Sequence, residues 1–171
     1  LDPRLFTILI MGGGKGLGPI KSIVRELESL PYELQEIIVC GSNKKLYNSL
    51  RRKTRKCKKK ILLLGYANNI NELMDSSDIL ITKPGGITTA EAMAKKIPMI
   101  IIRPIPGQEA SNTSYLISEK AALKAEKASQ VKPIIRDLIE NGHKLKDLSA
   151  SASRIGKPAS SLDIAKFILD L

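Results

Sequence analysis

The chain has 171 residues, of which 43% are hydrophobic and 26% are charged, with 12 glycines and 9 prolines. This composition is typical of a single soluble globular domain and excludes a disordered, collagen-like or disulfide-stapled chain. The net charge of +11 would favour a nucleic-acid partner, but the excess is local, because residues 44–60 hold 10 of the 28 Lys and Arg and no acid.

Six apolar runs separated by turn residues predict the strands of one sheet. In chain order they are Leu5–Met11, Glu36–Cys40, Lys60–Leu64, Ile79–Thr82, Met99–Arg103 and the less apolar Ala122–Ala125. Between the strands, apolar residues recur at helical spacing, as in Ile20–Leu30, Ile87–Ala94 and Val131–Ile139. Alternating strands and helices predict parallel pairing through right-handed crossovers. The predicted fold class is therefore α/β: a doubly wound, Rossmann-like parallel sheet of about six strands flanked by helices, in a single domain over residues 1–171.

Two further segments of the chain have their own patterns. Residues 44–60 predict a solvated helix and its connection, with an anionic membrane surface as the functional alternative. After Gly142 we predict helices that pack on the sheet edge or reach toward another domain, with Pro158 in the first turn of the last helix.

The cysteines and the ends of the chain indicate its setting. Cys40, Cys57 and His143 lack the spacing of a metal site, so we predict reduced thiols, no metal centre and a cytoplasmic location. No run reaches the ~18 apolar residues of a membrane span, and the start does not resemble a secretory signal. Because the chain begins without methionine, directly before a predicted strand, we expect it to be part of a longer protein.

In an open parallel sheet, ligands bind at the carboxyl ends of the strands. The first loop there, Gly12–Pro19, reads GGGKGLGP. Its glycines either let backbone N–H groups approach an anion or only satisfy a tight turn. The loop fits neither the G-x-G-x-x-G nor the P-loop motif, and strand two ends in CGSN without the acid that binds the ribose of NAD. The sequence therefore disfavours a dehydrogenase and a P-loop ATPase.

The loop after the fourth strand, TKPGGITTAEA, leads into a helix that begins at about Gly86. The unpaired N–H groups of that helix start suit a diphosphate, and Thr88 adds a hydroxyl. Glu91 can accept from the two hydroxyls of a ribose, or it can form an i, i+4 pair with Lys95.

Two more loops carry polar groups. After the fifth strand, Gln108 and Glu109 precede Asn112, a set that suits a sugar, although Glu109 can also simply complement the helix dipole. After the third strand, Tyr66 and Ala67 either present backbone groups and a ring edge to a base or line the core.

Together, the segments GGGKGLGP, ITKPGGITTAEA and PIPGQEASN resemble the C-terminal, donor-binding half of GT-B glycosyltransferases. The family resembled contains monogalactosyldiacylglycerol synthases, processive diacylglycerol glucosyltransferases and the N-acetylglucosaminyltransferase of peptidoglycan precursors. The resemblance covers nearly the whole chain and implies inverting transfer of a hexose from a UDP-sugar to diacylglycerol, making membrane glycolipid. Transfer of N-acetylglucosamine to a lipid-linked peptidoglycan precursor is the alternative.

The resemblance also implies where the rest of the enzyme lies. The general base and the lipid acceptor site are expected in an N-terminal domain outside this sequence, so we expect this chain alone to be inactive. No metal or other cofactor is implied, and the expected location is peripheral, on the inner face of the plasma membrane.

The same resemblance assigns the residues that contact the donor. Gly86, Ile87, Thr88 and Lys83 are implied to bind the diphosphate. Glu91 is implied to bind the ribose. The residues implied to bind the sugar are Gln108, Glu109 and Asn112. Those implied for the uracil and nucleoside are Tyr66, Ala67, Ser42 and Asn43, with Gly13 and Gly14 in a glycine loop that faces the cleft.

Two competing functions stay open at this point. A basic RNA-binding or anionic-lipid-binding module would be non-enzymatic, but aromatic residues are only 4% of the chain and Trp is absent, so we predict no nucleic-acid partner. A UDP-sugar epimerase would need acid and base residues that we cannot assemble here. The sequence specifies neither the hexose nor the oligomeric state.

Overall fold

The computed structural model describes residues 1–55 and 57–170. Within them, one sheet has the strand order β3-β2-β1-β4-β5-β6, and all neighbouring strands are parallel. The strands are β1 (Phe6–Met11), β2 (Leu34–Val39), β3 (Lys60–Leu64), β4 (Ile79–Thr82), β5 (Met99–Ile102) and β6 (Ala122–Ala125). The helices are α1 (Ile20–Glu28), α2 (Lys44–Thr54), α3 (Ile70–Asp75), α4 (Gly86–Ala94), α5 (Gln108–Ser118), α6 (Val131–Glu140), α7 (Gly142–Ile155) and α8 (Ser160–Leu169), with a 3-10 turn at Ala128–Gln130. The predicted doubly wound α/β sheet is confirmed.

Helices cover both faces of the sheet, which explains why its strands read as nearly continuous apolar runs. Ile8 and Ile10 of β1 pack with α1, α2 and α6 on one face. Leu9 and Met11 pack with α3, α4 and α5 on the other face. Each such side chain that is fully buried contributes about 1.5–3 kcal/mol through the hydrophobic effect.

Four strand boundaries differ from the prediction. β1 begins one residue later, at Phe6, and β2 ends one residue earlier, at Val39; the start of β2 and the end of β5 also differ. β2 begins at Leu34 because the polar Gln35 is buried, where its Nε2 donates to Thr7 Oγ1 and to the Asp2 carbonyl, both at 2.8 Å. β5 ends at Ile102 because Arg103 adopts a φ of +45°, outside the extended region. The polar Gln35 thus lies within β2, because residues elsewhere in the chain satisfy its side chain. The apolar pattern alone predicts a shorter strand.

Helix α4 exists as predicted but buries a different face. The helical pattern joined Ile87, Ala90, Met93 and Ala94, whereas the buried residues are Thr89, Ala92 and Met93. Ile87 is 79% exposed, because it lies in the first turn, directly after the carboxyl end of β4. An apolar side chain therefore stands in solvent at the edge where ligands are expected.

The C-terminal helices behave differently from one another. α7 packs through Leu148 and Ala152, whereas α8 has no buried residue. Pro158 lies two residues before α8 rather than in its first turn, because a separate turn forms there, in which the Ser160 amide donates to the Lys157 carbonyl. Across residues 1–55 and 57–170, no helix has both the length and the apolarity needed to cross a bilayer.

The basic segment 44–60 is partly structural. Lys53 Nζ lies 3.1 Å from a Glu28 carboxylate oxygen, and Lys60 Nζ lies 3.4 Å from Asp2. Lys59 Nζ donates to the backbone carbonyls of Leu30 and Tyr32 at 3.0 and 2.9 Å. Lys56, in the same segment, lies outside the described residues. The exposed cations that remain are concentrated on α2, the helix predicted for this segment.

Candidate functional site

The start of α4 presents unpaired backbone donors at the carboxyl edge of the sheet. Gly85 is the N-cap residue, with φ −66° and ψ 139°, and its carbonyl accepts from the Thr89 amide at 2.9 Å. The amides of Gly86, Ile87 and Thr88 precede that first helical bond and have no acceptor among the described residues. The helix dipole adds partial positive charge at this point, so the position suits an anion.

The side chains around this helix start have distinct roles. The Thr89 hydroxyl donates back to the Gly85 and Gly86 carbonyls, whereas that of Thr88 bonds to none of the described residues. Lys95, the alternative partner of Glu91, pairs instead with Asp75. Glu91 is exposed and forms no ion pair within the described part of the chain, so its carboxylate is available to a ligand.

The start of α5 is joined to the turn before α4. Lys83 Nζ lies 3.1 Å from Glu109 Oε1, and both side chains are largely buried. Glu109 Oε2 accepts from the Ile105 amide at 2.8 Å. Asn112 Nδ2 donates to the Pro84 carbonyl at 2.9 Å. Lys83, Glu109 and Asn112 therefore brace the turn that carries the α4 amides.

Gln108, the first residue of α5, lies beside Gly86. It is exposed, and its Nε2 lies 3.8 Å from the position that a Cβ on Gly86 would occupy. Its amide can both donate and accept at the helix start. Gln108 can thus reach a ligand that binds at the start of α4.

Asn112 provides a direct test of this bracing. Replacing Asn112 with alanine leaves the buried Pro84 carbonyl without its partner, so we expect the free energy of unfolding to fall by about 1–3 kcal/mol. Urea denaturation measures this fall. The matched control is Asn48→Ala, which truncates an exposed asparagine of α2. Equal stability of the two variants would contradict the bracing role.

The glycines of the first loop differ in their surroundings. A Cβ at Gly12 would lie 1.9 Å from the Leu17 carbonyl oxygen, so the chain passes too close for any other residue. A Cβ on Gly13 or Gly14 meets nothing within 4 Å, although the φ of +67° at Gly13 also favours glycine in this turn. Gly12 therefore serves the turn, and Gly13 and Gly14 border open space.

The residues after β2 hold this glycine loop in place. The Ser42 amide donates to the Gly14 carbonyl at 2.9 Å, and its hydroxyl donates to the same oxygen at 3.2 Å. Asn43 Nδ2 donates to the Gly16 carbonyl at 3.3 Å, while its Oδ1 accepts from the Leu46 amide at 2.9 Å. The side chains of Ser42 and Asn43 are thus occupied within the protein.

Tyr66 and Ala67 follow β3 at the edge of the sheet. The Tyr66 side chain is 71% exposed, so the alternative in which it lines the core is wrong. β3 and β4 are three strand positions apart, which corresponds to about 14 Å across the sheet. An extended nucleoside diphosphate can span this distance, with its base near Tyr66 and its phosphates at α4.

Comparisons with known proteins identify the family. Residues 7–165 match the glycosyltransferase family 28 C-terminal domain. The processive diacylglycerol beta-glucosyltransferase of Staphylococcus epidermidis is 38% identical over 173 residues, covering 100% of this chain and 44% of that protein. The chain therefore spans less than half the length of this curated relative.

Solved structures show the same fold. MurG of Acinetobacter baumannii superimposes with a TM-score of 0.82 at 17% identity, over 100% of this chain and 51% of that chain. MnaA of Staphylococcus aureus in complex with UDP superimposes with a TM-score of 0.74 at 17% identity, over 99% of this chain and 47% of that chain.

Proposed function

The chain belongs to glycosyltransferase family 28, and we propose that it binds the UDP-hexose donor of an inverting hexosyltransferase. The observation that carries this proposal is the set of unpaired amides of Gly86, Ile87 and Thr88 at the start of α4. Donors fixed at a helix N-terminus bind a diphosphate without reorganising. They also stabilise the negative charge that builds up on the departing UDP, which lowers the barrier to transfer.

The rest of the donor follows from the order of the strands. Glu91 accepts from the ribose hydroxyls, and Tyr66 and Ala67 border the uracil beyond them. Gln108 contacts the hexose. Ser42 and Asn43 border the nucleoside, and their side chains also hold the glycine loop. The binding of UDP by MnaA, which shares this fold, supports the proposal.

The proposed transfer uses no divalent cation. Lys83 is paired with Glu109, so it approaches the phosphates as one half of an ion pair. In this proposal the α4 amides and Lys83 together compensate the diphosphate, and no metal or other cofactor takes part. The general base and the acceptor site belong to a part of the protein outside this chain. This chain alone therefore transfers no sugar.

We propose diacylglycerol as the acceptor, with membrane glycolipid as the product. The relative that is 38% identical is a diacylglycerol glucosyltransferase, whereas MurG shares the fold at 17% identity. A lipid-linked peptidoglycan precursor is thus the less supported acceptor. Membership of a glycosyltransferase family likewise favours sugar transfer over an epimerase or an RNA-binding module.

The proposed setting is the cytoplasmic face of a membrane. Exposed Lys and Arg of α2 would each gain about 1 kcal/mol near an anionic leaflet. This attraction would keep the enzyme peripheral while its lipid acceptor stays in the bilayer.

Calorimetric titration of the chain tests donor binding. We expect UDP to bind with one site per chain, in the presence or absence of EDTA, and NAD to give no heat. Glu91→Ala should weaken UDP binding by about 1–3 kcal/mol, because it removes the acceptor for the ribose hydroxyls. The matched control is Glu33→Ala, which removes the same charge directly before β2, at the opposite edge of the sheet. An absence of UDP heat would overturn the proposal.

A further inference from the structure

A second cavity opens at the same edge of the sheet, with a volume of about 540 Å³. It lies between the glycine loop and the first turns of α1 and α2, which pack on the Ile8 face of the sheet. Helix α4, with the proposed diphosphate site, packs on the opposite face. Of the residues assigned to the donor, only Asn43 lines this cavity, and its side chain is occupied.

The lining of this cavity is strongly basic. Lys21, Lys45 and Arg103 reach it from three different elements, and no acidic residue lines it. None of the three forms an ion pair with any residue in 1–55 or 57–170. Like charges that share a concave surface repel one another and raise the local concentration of anions. This cluster therefore favours an anionic ligand over an empty cavity.

The polar groups of the lining suit an oxyanion. Ser22 contributes a hydroxyl that bonds to no described residue. Arg103 carries a guanidinium, which suits the paired oxygens of a phosphate. It occupies the cavity rim at a φ of +45°, a conformation that costs a non-glycine residue about 1 kcal/mol or more.

We propose that this cavity is a phosphate-binding site, separate from the donor site. Arg103, Lys21 and Lys45 supply the charge, and Ser22 supplies a neutral donor. The phosphate group can come from a lipid headgroup or from free phosphate, since both present the same oxygens. The proposal does not depend on the donor assignment.

Nuclear magnetic resonance on the 15N-labelled chain tests the proposal, with UDP added first. We expect inorganic phosphate to shift the Arg103 Nε–Hε signal and the Ser22 amide signal saturably, and to leave the Gly86 amide unmoved. Arg103→Gln and Lys45→Gln should each weaken phosphate binding about tenfold. The matched control is Lys44→Gln, because Lys44 precedes Lys45 on α2 but lies outside the cavity, and its effect should stay below about twofold.

Two results would overturn the proposal: an Arg103 signal that does not move, or equal effects of Lys44→Gln and Lys45→Gln, which would indicate only general charge attraction. Titration with dihexanoyl phosphatidic acid identifies the source of the bound phosphate group. Tighter binding than that of inorganic phosphate assigns the site to a lipid headgroup. Equal or weaker binding assigns it to free phosphate. UDP titration of Arg103→Gln tests whether the phosphate site and the donor site are independent. Loss of phosphate binding with unchanged UDP affinity would leave the donor assignment intact.

Discussion

Replacing Gly86 with proline is expected to lower the affinity for UDP by about 100-fold without unfolding the chain. The substitution removes one of the amide hydrogens that face the diphosphate, and the ring occupies the approach to its neighbours. Proline is well tolerated at the first position of a helix. Gly85, at φ −66° and ψ 139°, already has the conformation that a residue before proline requires.

The matched control at this position is Gly86→Ala. Alanine keeps the amide hydrogen, and its Cβ would make only an ordinary contact with Gln108 Nε2, at 3.8 Å. Calorimetry with UDP and with uridine separates the contributions, because uridine lacks the diphosphate and should bind both variants equally. Thermal denaturation checks that both variants are folded. If Gly86→Pro bound UDP as tightly as Gly86→Ala, the α4 amides would not hold the diphosphate.

The second large effect concerns Glu36, a fully buried residue in β2. Neither carboxylate oxygen has a hydrogen-bond partner in the described part of the chain. Burial raises the pKa of Glu36 from 4.5 to about 8, although the charges of Lys59 and Lys53 oppose this shift. Glu36 therefore holds a proton in the native state at neutral pH, whereas the unfolded chain releases it.

This difference makes the stability of the chain depend on pH. Between pH 4.5 and 8 the native state binds more protons than the unfolded state, so the contribution of Glu36 to stability falls as pH rises. Each unit corresponds to about 1.4 kcal/mol, and the fall through this window is roughly 5 kcal/mol. Below the unfolded-state pKa both states are protonated, and the effect disappears.

Glu36→Gln should abolish this fall, because an amide of similar shape does not ionise. We expect the variant and the parent chain to have similar free energies of unfolding at pH 4 and the variant to be the more stable at pH 9. Urea denaturation at several pH values measures the difference. The control Glu33→Gln changes an exposed acid close in sequence and should keep the parent's pH dependence. Parallel curves for Glu36→Gln and the parent would contradict this account.

The sequence predicts the strands well because each is an apolar run closed by turn residues. The prediction is wrong where tertiary contacts determine the end of a strand or the buried face of a helix. The polar Gln35 joins β2 because Thr7 and Asp2 satisfy its side chain, and no local signal indicates those partners. The buried face of α4 also differs from the apolar stripe, since the small Thr89 and Ala92 let the helix approach the sheet while Ile87 remains outside.

The candidate site divides in the same way. The loops that form it are predictable, because parallel strands bring their carboxyl ends to one edge. The bonds between the loops are not: Lys83 to Glu109 and Asn112 to the Pro84 carbonyl each join residues far apart in the sequence. The sequence indicates these residues as ligand contacts, and the structure adds that they also support one another.

A crystal structure of the chain with UDP tests the central claim most directly. The account predicts diphosphate oxygens within hydrogen-bond distance of the Gly86, Ile87 and Thr88 amides, with the ribose hydroxyls on Glu91. A diphosphate bound elsewhere, with no ligand at the start of α4, would contradict it.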